Sequence, residues 1–400
     1  MRAARAWKRW VPDAGVLLGV VFGAVMHARP DIVGFSVVHV DSASDEAALA
    51  ASAAPWYFLP VVFGVIIWAA LRAAAHAEAI AHRLRDPYGT LVLTMSAIGI
   101  EVALVVAVMT TGQHGSTVAR DTMFATLMMI LNGLVGIALI AGALRQRELP
   151  FNQKSSSAYL AMIAALCTIG LVLPRFTISA PGGYMTDAME IFVAGASVVV
   201  YIAFVALQGS AHSDFFIVSQ GKGQSGNGHG AYGEGAAGPR LTFSIVMLCC
   251  ALATVVLLAD ALGDLLVIKL RRAYLPGSLQ GVVIAFIILL PEGIAAVRSA
   301  LSSDVQRTIN ILHGSALSTI GLTIPTVLIV GGAVGLPVEL GLEPPEITLL
   351  AATIVVSMIH FGGGRTNLMH GVVHAMLFML WIALLMEDRV SGAIVQPLPT

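Results

Sequence analysis

Charged side chains are rare in this chain: Asp, Glu, Lys and Arg make up 11% of its 400 residues, with a formal net charge of −1. So sparse a complement cannot supply the solvated exterior of a soluble protein of this length. The lack of a basic excess also argues against nucleic acid as a partner. Cysteine is nearly missing. Cys167, Cys249 and Cys250 lie in apolar runs without a CxxC spacing, so they read as small core residues and not as a disulfide framework or a thiolate metal site. Neither HExxH nor GxxxxGK[ST] occurs, and no cofactor motif replaces them. No cofactor is expected.

Long apolar runs take the place of charge, since 57% of the residues are hydrophobic. A helix needs about 20 mostly apolar residues to cross a bilayer. That criterion predicts spans near 13–28, 56–74, 89–111, 121–143, 158–174, 187–208, 241–262, 278–298, 306–331, 346–361 and 370–387. The first reads as a retained helix, because no small-residue cleavage site follows "GAVMHARP". The expected fold is therefore an all-α polytopic membrane protein of about eleven transmembrane helices.

Residues 209–240 contain "SQGKGQSGNGHGAYGEGAAGP", too polar and Gly-rich to bury a core, and read as a connector. Six predicted spans precede it and five follow. With residues 1–55 set aside as an N-terminal helix and loop, 56–208 and 241–400 become two five-helix halves. An odd number forces the second half to enter the membrane from the opposite side, the inverted repeat of many secondary transporters. Most of the 22 basic residues fall on one side of this arrangement. The positive-inside rule makes that side, with the N-terminus and linker, cytoplasmic and the C-terminus external. The membrane is then the cytoplasmic (inner) one.

Two acids stand inside apolar helices at corresponding places. "DPYGTLVLTMSAIGIEVALVV" carries Glu101, about 18 Å along the helix from Gly89 at 1.5 Å per residue. "LPGSLQGVVIAFIILLPEGIAAV" carries Glu292. A charge at mid-bilayer costs about 2.5–3.5 kcal/mol on insertion scales, so such residues mark sites by default. A helix-weakening residue precedes each: Gly99 and Pro291 are expected to interrupt their helices and free backbone carbonyls. The next helix of each half carries a polar-Gly pair, Asn132 with Gly133 and His313 with Gly314 and Ser315. Thr94, Ser96, Asn132, His313 and Ser315 are the candidate secondary ligands. His370 and His374 lie four apart, with His360 nearby, a spacing open to interfacial histidines or to metal.

The stretches "DPYGTLVLTMSAIGIEVALV", "LPEGIAAVRSALSSDVQRTINILHGSALSTIGLTIPTVL" and "GGRTNLMHGVVHAMLF" resemble the bacterial calcium/proton, sodium/proton and potassium/proton antiporters of the calcium:cation antiporter superfamily. The resemblance covers nearly the whole chain. It implies one helix plus two inverted five-helix repeats, with Glu101 and Glu292 forming the cation and proton site. Two departures stand out. Relatives often carry Asn shortly before the first acid, where this chain reads "SAIGIE". His370 stands where relatives carry an acid.

The function expected is proton-coupled export of a cation, Ca²⁺ first and Na⁺ or K⁺ as alternatives. Two facing carboxylates repel, and one Ca²⁺ or two protons neutralise both, so the two ligands compete. Ca²⁺ also takes six to eight hard oxygen ligands, which carboxylates, hydroxyls and carbonyls would supply. The partners are the cation, protons and lipid. A cation channel lined by the same acids, and an intramembrane metalloenzyme using His360, His370 and His374, are the alternatives. Neither the stoichiometry nor the oligomeric state is encoded legibly.

Overall fold

A computed structural model describes residues 13–25, 57–81, 83–84, most of 95–109, 115–146, 148–209, 241–273 and 275–394. The connector at 210–240 and Thr94 lie outside the described residues. In chain order the helical segments are α1 (Asp13–Val25), α2 (Phe58–Ala81), α3 (helical at 98–102 and 104–106), α4 (Gly115–Met128, Met129–Leu134 and Val135–Ala143), α5 (Gln153–Phe176) and α6 (Asp187–Gly209). After the connector come α7 (Leu241–Arg272), α8 (Leu279–Leu301), α9 (Val305–Val334), α10 (Pro344–Phe361) and α11 (Leu368–Ile394). Among the described residues nine helices are long and apolar enough to cross a membrane; α1 is shorter, and α3 is described only in part. The chain is an all-helical multi-pass membrane protein.

Local sequence explains where the helices start and stop. Asn152 and Asp304 accept hydrogen bonds from the backbone N–H of Lys154 and Arg307, at 3.0 and 3.1 Å, and begin α5 and α9. "EPPE" places Pro344 at the first turn of α10, with Glu343 and Glu346 in a reciprocal capping box. Gly335, at φ +76°, closes α9 in the left-handed conformation. Asn367 accepts from His370 N–H at 3.2 Å and caps α11.

The exterior and interior are the reverse of a soluble protein's. Ile191, Phe192, Val199, Ile202, Val355 and Ile359 face outward. Glu101, Asn132, His313, Thr319, Thr353 and His374 are buried within the bundle. The most enclosed spans are α4 and α9, the third helices of the two expected halves.

The pairing of helices repeats between the halves. The first helices, α2 and α7, pack on each other, and the fourth, α5 and α10, do likewise. The third helix of each half packs on the fifth of the other, α4 on α11 and α9 on α6. Each third helix also passes into a π segment, Met129–Leu134 in α4 and Thr319–Thr323 in α9. This register corrects the sequence-based match of Asn132 with His313. Aligned on the starts of these π segments, α4 and α9 put Asn132 beside the Leu322–Thr323 position, and His313 opposite Met123.

The helices turn at two ends. At one, β1 (Leu149–Pro150) pairs antiparallel with β2 (Arg365–Thr366), Arg145 donates to the Leu301 carbonyl at 2.9 Å, and Gln306 accepts from Asn152 N–H at 2.6 Å. The α4–α5, α8–α9 and α10–α11 turns therefore lie together. At the other end Leu340 and Gly341 donate to the Gly183 carbonyl at 3.1 and 3.0 Å, and Arg120 bonds Glu339 at 2.5 Å. The segment α1 seats against α2 and α7 through small residues: a Cβ on Gly15 would meet Trp68, on Gly19 Thr254, and on Gly23 Leu257. Asp13 fastens its start to α2, accepting from Arg72 Nε at 3.0 Å with His76 Nε2 at 3.1 Å.

The interruption expected at Pro291 is absent, and the described residues next to Gly99 are helical. Pro291 lies inside an unbroken α8, and Gly99 within helical residues 98–102, with open space where its Cβ would be. Proline still removes the N–H that would bond the Ile287 carbonyl. In a membrane helix, neighbouring helices and local adjustment can re-satisfy a backbone group freed in this way. Irregular backbone sits instead in the π segments of α4 and α9, and in α5 at the π segment Thr168–Val172 and the 3₁₀ turn Leu173–Phe176.

Candidate functional site

The two acids reach the same helix from different halves of the chain. Glu101, on α3 and fully enclosed, accepts a hydrogen bond from Thr319 Oγ1 at 2.9 Å. Glu292, on α8 and partly accessible, accepts from Ser315 Oγ. Ser315 and Thr319 are four residues apart on α9, a spacing that stacks side chains on one helix face. The second oxygen of Glu101 is buried without a protein partner.

Thr319 and Thr323 bound the π segment of α9, and Thr323 is buried with an unpartnered hydroxyl. The site is thus two carboxylates and a run of hydroxyls at four-residue spacing: Ser315, Thr319, Thr323. All are hard oxygens, the donor type that Ca²⁺ and alkali cations take. Residue-by-residue reading missed Thr319 and Thr323. The signal was present in "SALSTIGLT", hydroxyls on one face of an otherwise apolar helix.

The remaining candidates divide. Ser315 joins the acids, and Ser96 is buried on the α3 segment. Asn132 is engaged elsewhere: its Nδ2 donates to Thr353 Oγ1 at 2.8 Å, and its Oδ1 lies 3.3 Å from His374 Nδ1. His313 packs edge-on to Phe361 at 4.8 Å between ring centroids, with Tyr159 at 6.1 Å, and has no bond to either acid. Asn132 and His313 therefore belong to a second polar cluster.

That cluster is not a metal centre. The rings of His360 and His370 stack at 4.0 Å with an interplanar angle of 6°. A histidine nitrogen binds metal along the ring plane, so parallel rings direct their lone pairs side by side and not to one point. No group of three His, Cys, Asp or Glu among the described residues could hold a metal ion.

The sodium/calcium exchanger protein family matches residues 54–209 and 243–386, on either side of the connector. The chain belongs to that family, which is one of transporters and not of enzymes. It is 37% identical over 323 residues to y4hA of Sinorhizobium fredii, named as an ionic transporter, covering 80% of this chain and 86% of that one. It is 31% identical over 334 residues to the sodium-potassium/proton antiporter ChaA of Escherichia coli, covering 81% and 89%. Among solved structures it resembles native YfkE with a TM-score of 0.65 at 14% identity, over 93% of this chain and 98% of that one. The structure of the H⁺/Ca²⁺ exchanger CAX gives 0.61 at 12% identity, over 84% and 86%.

Proposed function

We propose that this protein is a secondary antiporter of the inner membrane that exchanges a cation for protons at Glu101 and Glu292. One observation carries the reading: the two acids, 191 positions apart in the chain, bond one face of α9 through Thr319 and Ser315. The paired charges accept either a divalent cation or two protons, and one ligand must leave before the other binds. Exchange follows if the site opens alternately to the two sides, and Glu292 is the acid now partly accessible. The π segments of α4 and α9 give each half a deformable helix beside the site, since π segments occur where helices serve function.

Two five-helix repeats of opposite orientation, 56–208 and 241–400, fit the repeated pairing of α2 with α7, α5 with α10, and each third helix with the opposite fifth. With the 1–55 segment they make eleven spans, the 209–240 connector lying between the halves. The basic residues Arg145, Lys154, Arg307 and Arg365 border the turns at one end, which we assign to the cytoplasm together with the N-terminus and the connector. Reporters fused after Gly230 and after Thr400 are expected on opposite sides of the membrane. Reporters on one side would contradict the odd repeat.

Ca²⁺ is the first substrate to test, because one divalent ion matches two carboxylates. Similarity to a protein named as a sodium-potassium/proton antiporter favours a second reading, with Na⁺ or K⁺ carried. Cation-induced proton movement in everted vesicles, with each ion alone and across pH, separates them. Apparent affinity for the true substrate should rise with pH, since fewer protons then compete for the same carboxylates. Flux that does not saturate and moves no protons would favour a channel.

A further inference from the structure

The second polar cluster runs from the end of the bundle into its interior. Thr366 Oγ1 of β2 lies 3.2 Å from His370 Nδ1. His370 stacks on His360, and His360 lies 5.2 Å, centroid to centroid, from His374. His374 meets Asn132 Oδ1. Tight helix packing fixes this order. A Cβ on Gly136 would meet the Ala375 backbone N at 2.8 Å, and one on Gly371 the Ile140 N at 2.9 Å, so α4 and α11 cross backbone to backbone one turn from Asn132 and His374.

Hydrogen-bond logic sets the tautomer of His374. The Asn132 amide nitrogen is spent on Thr353, so its oxygen faces the imidazole, which must donate from Nδ1. Nε2 is then the open acceptor, and it is buried with no protein partner. His360 Nδ1 is likewise buried and unpartnered. Such atoms are docking points for water or a proton. The titratable groups facing His374 are His360 of α10, His370 of its own helix and His313 of α9, while α4 presents Asn132. The file ends on the Met129–Leu134 segment, which packs against α8, where a Cβ on Gly293, next to Glu292, would meet Leu134 at 2.9 Å.

We propose that His370, His360 and His374 form a proton-transfer route between the bundle end that holds the β1–β2 pair and the carboxylate site, separate from the groups that hold the cation. This rests on the cation/proton reading above. An imidazole carries two ring nitrogens, so it can take a proton from one neighbour and pass it to the next. A proton taken up at His370 or His360 passes through water to His374 Nε2, leaves from the same atom, and reaches Glu292; reversal of these steps carries it out. Asn132 holds the ring with Nε2 available and is a positioning residue.

The test uses the full chain in proteoliposomes with two readouts. One is cation-driven proton movement; the other is isotopic cation self-exchange at equal pH on both sides, which needs no proton transfer. His374→Gln, and the double variant His360→Gln with His370→Gln, should lose proton-coupled rate by on the order of 100-fold with self-exchange retained. Added imidazole should restore coupled rate in His370→Ala. Coupled rates unchanged in all variants would overturn the route. Parallel loss of both readouts in folded protein would also overturn it, by showing a structural role. A wild-type protein that self-exchanges cation yet moves no protons would instead refute the antiport reading.

Discussion

Glu101→Gln and Glu292→Gln should each reduce cation/proton exchange to the level of vesicles lacking the protein. Glutamine keeps the size and hydrogen-bonding reach of glutamate but can neither hold a compensating charge nor release a proton. Thr319 and Ser315 can still bond the amide oxygen, so packing around α9 is preserved. Both variants should insert at normal levels, because removing a charge from mid-bilayer lowers the insertion cost. Aspartate at either place retains the charge but withdraws it by one methylene, and partial activity with weaker cation affinity is expected. The measurement is exchange at matched expression. Robust proton-coupled transport by either amide variant would remove that residue from the mechanism.

Gly136→Ala should be among the most damaging small substitutions in the chain. An added Cβ there would meet the Ala375 N at 2.8 Å, the Gly371 carbonyl at 3.1 Å and the Ala375 Cα at 3.2 Å, all backbone atoms that no rotamer change can move. Either α4 and α11 separate or the π segment above shifts, and overpacking of this kind costs roughly 1–3 kcal/mol. Gly332→Ala is the control. It lies on the exposed side of α9 with nothing within 4 Å of a Cβ. Alanine there should be neutral or stabilising by up to about 1 kcal/mol. Thermal unfolding of the purified proteins checks both, and equal stability of the two variants would show that α4 and α11 do not cross as described.

The parts legible in the sequence were those that disturb hydropathy. A carboxylate inside an apolar run cannot be overlooked, and Glu101 and Glu292 each accept a hydrogen bond from a hydroxyl of α9. The span expected at 278–298 is Leu279–Leu301 in the structure, because length and apolarity bound it directly. Thr319 and Thr323 were not legible one residue at a time, since a hydroxyl costs little in a membrane helix and is common there. The π segments leave no mark on hydropathy either. Their register nonetheless sets which residues of α4 and α9 correspond, and Asn132 and His313 find partners other than the acids. His370 and His374 showed only a four-residue spacing. Whether such a pair chelates or stacks depends on His360, which arrives from another helix.

The claim that Glu101 and Glu292 form one site, shared by cation and protons, is tested most directly by proton release on cation binding. Purified protein in a weakly buffered detergent solution with a pH indicator is titrated with Ca²⁺, Na⁺ or K⁺, with no membrane and no gradient. The transported cation should expel protons in a saturable manner, less as pH rises, and neither Glu101→Gln nor Glu292→Gln should show the same release. Cation binding without proton release, or full release retained in either variant, would contradict a common site.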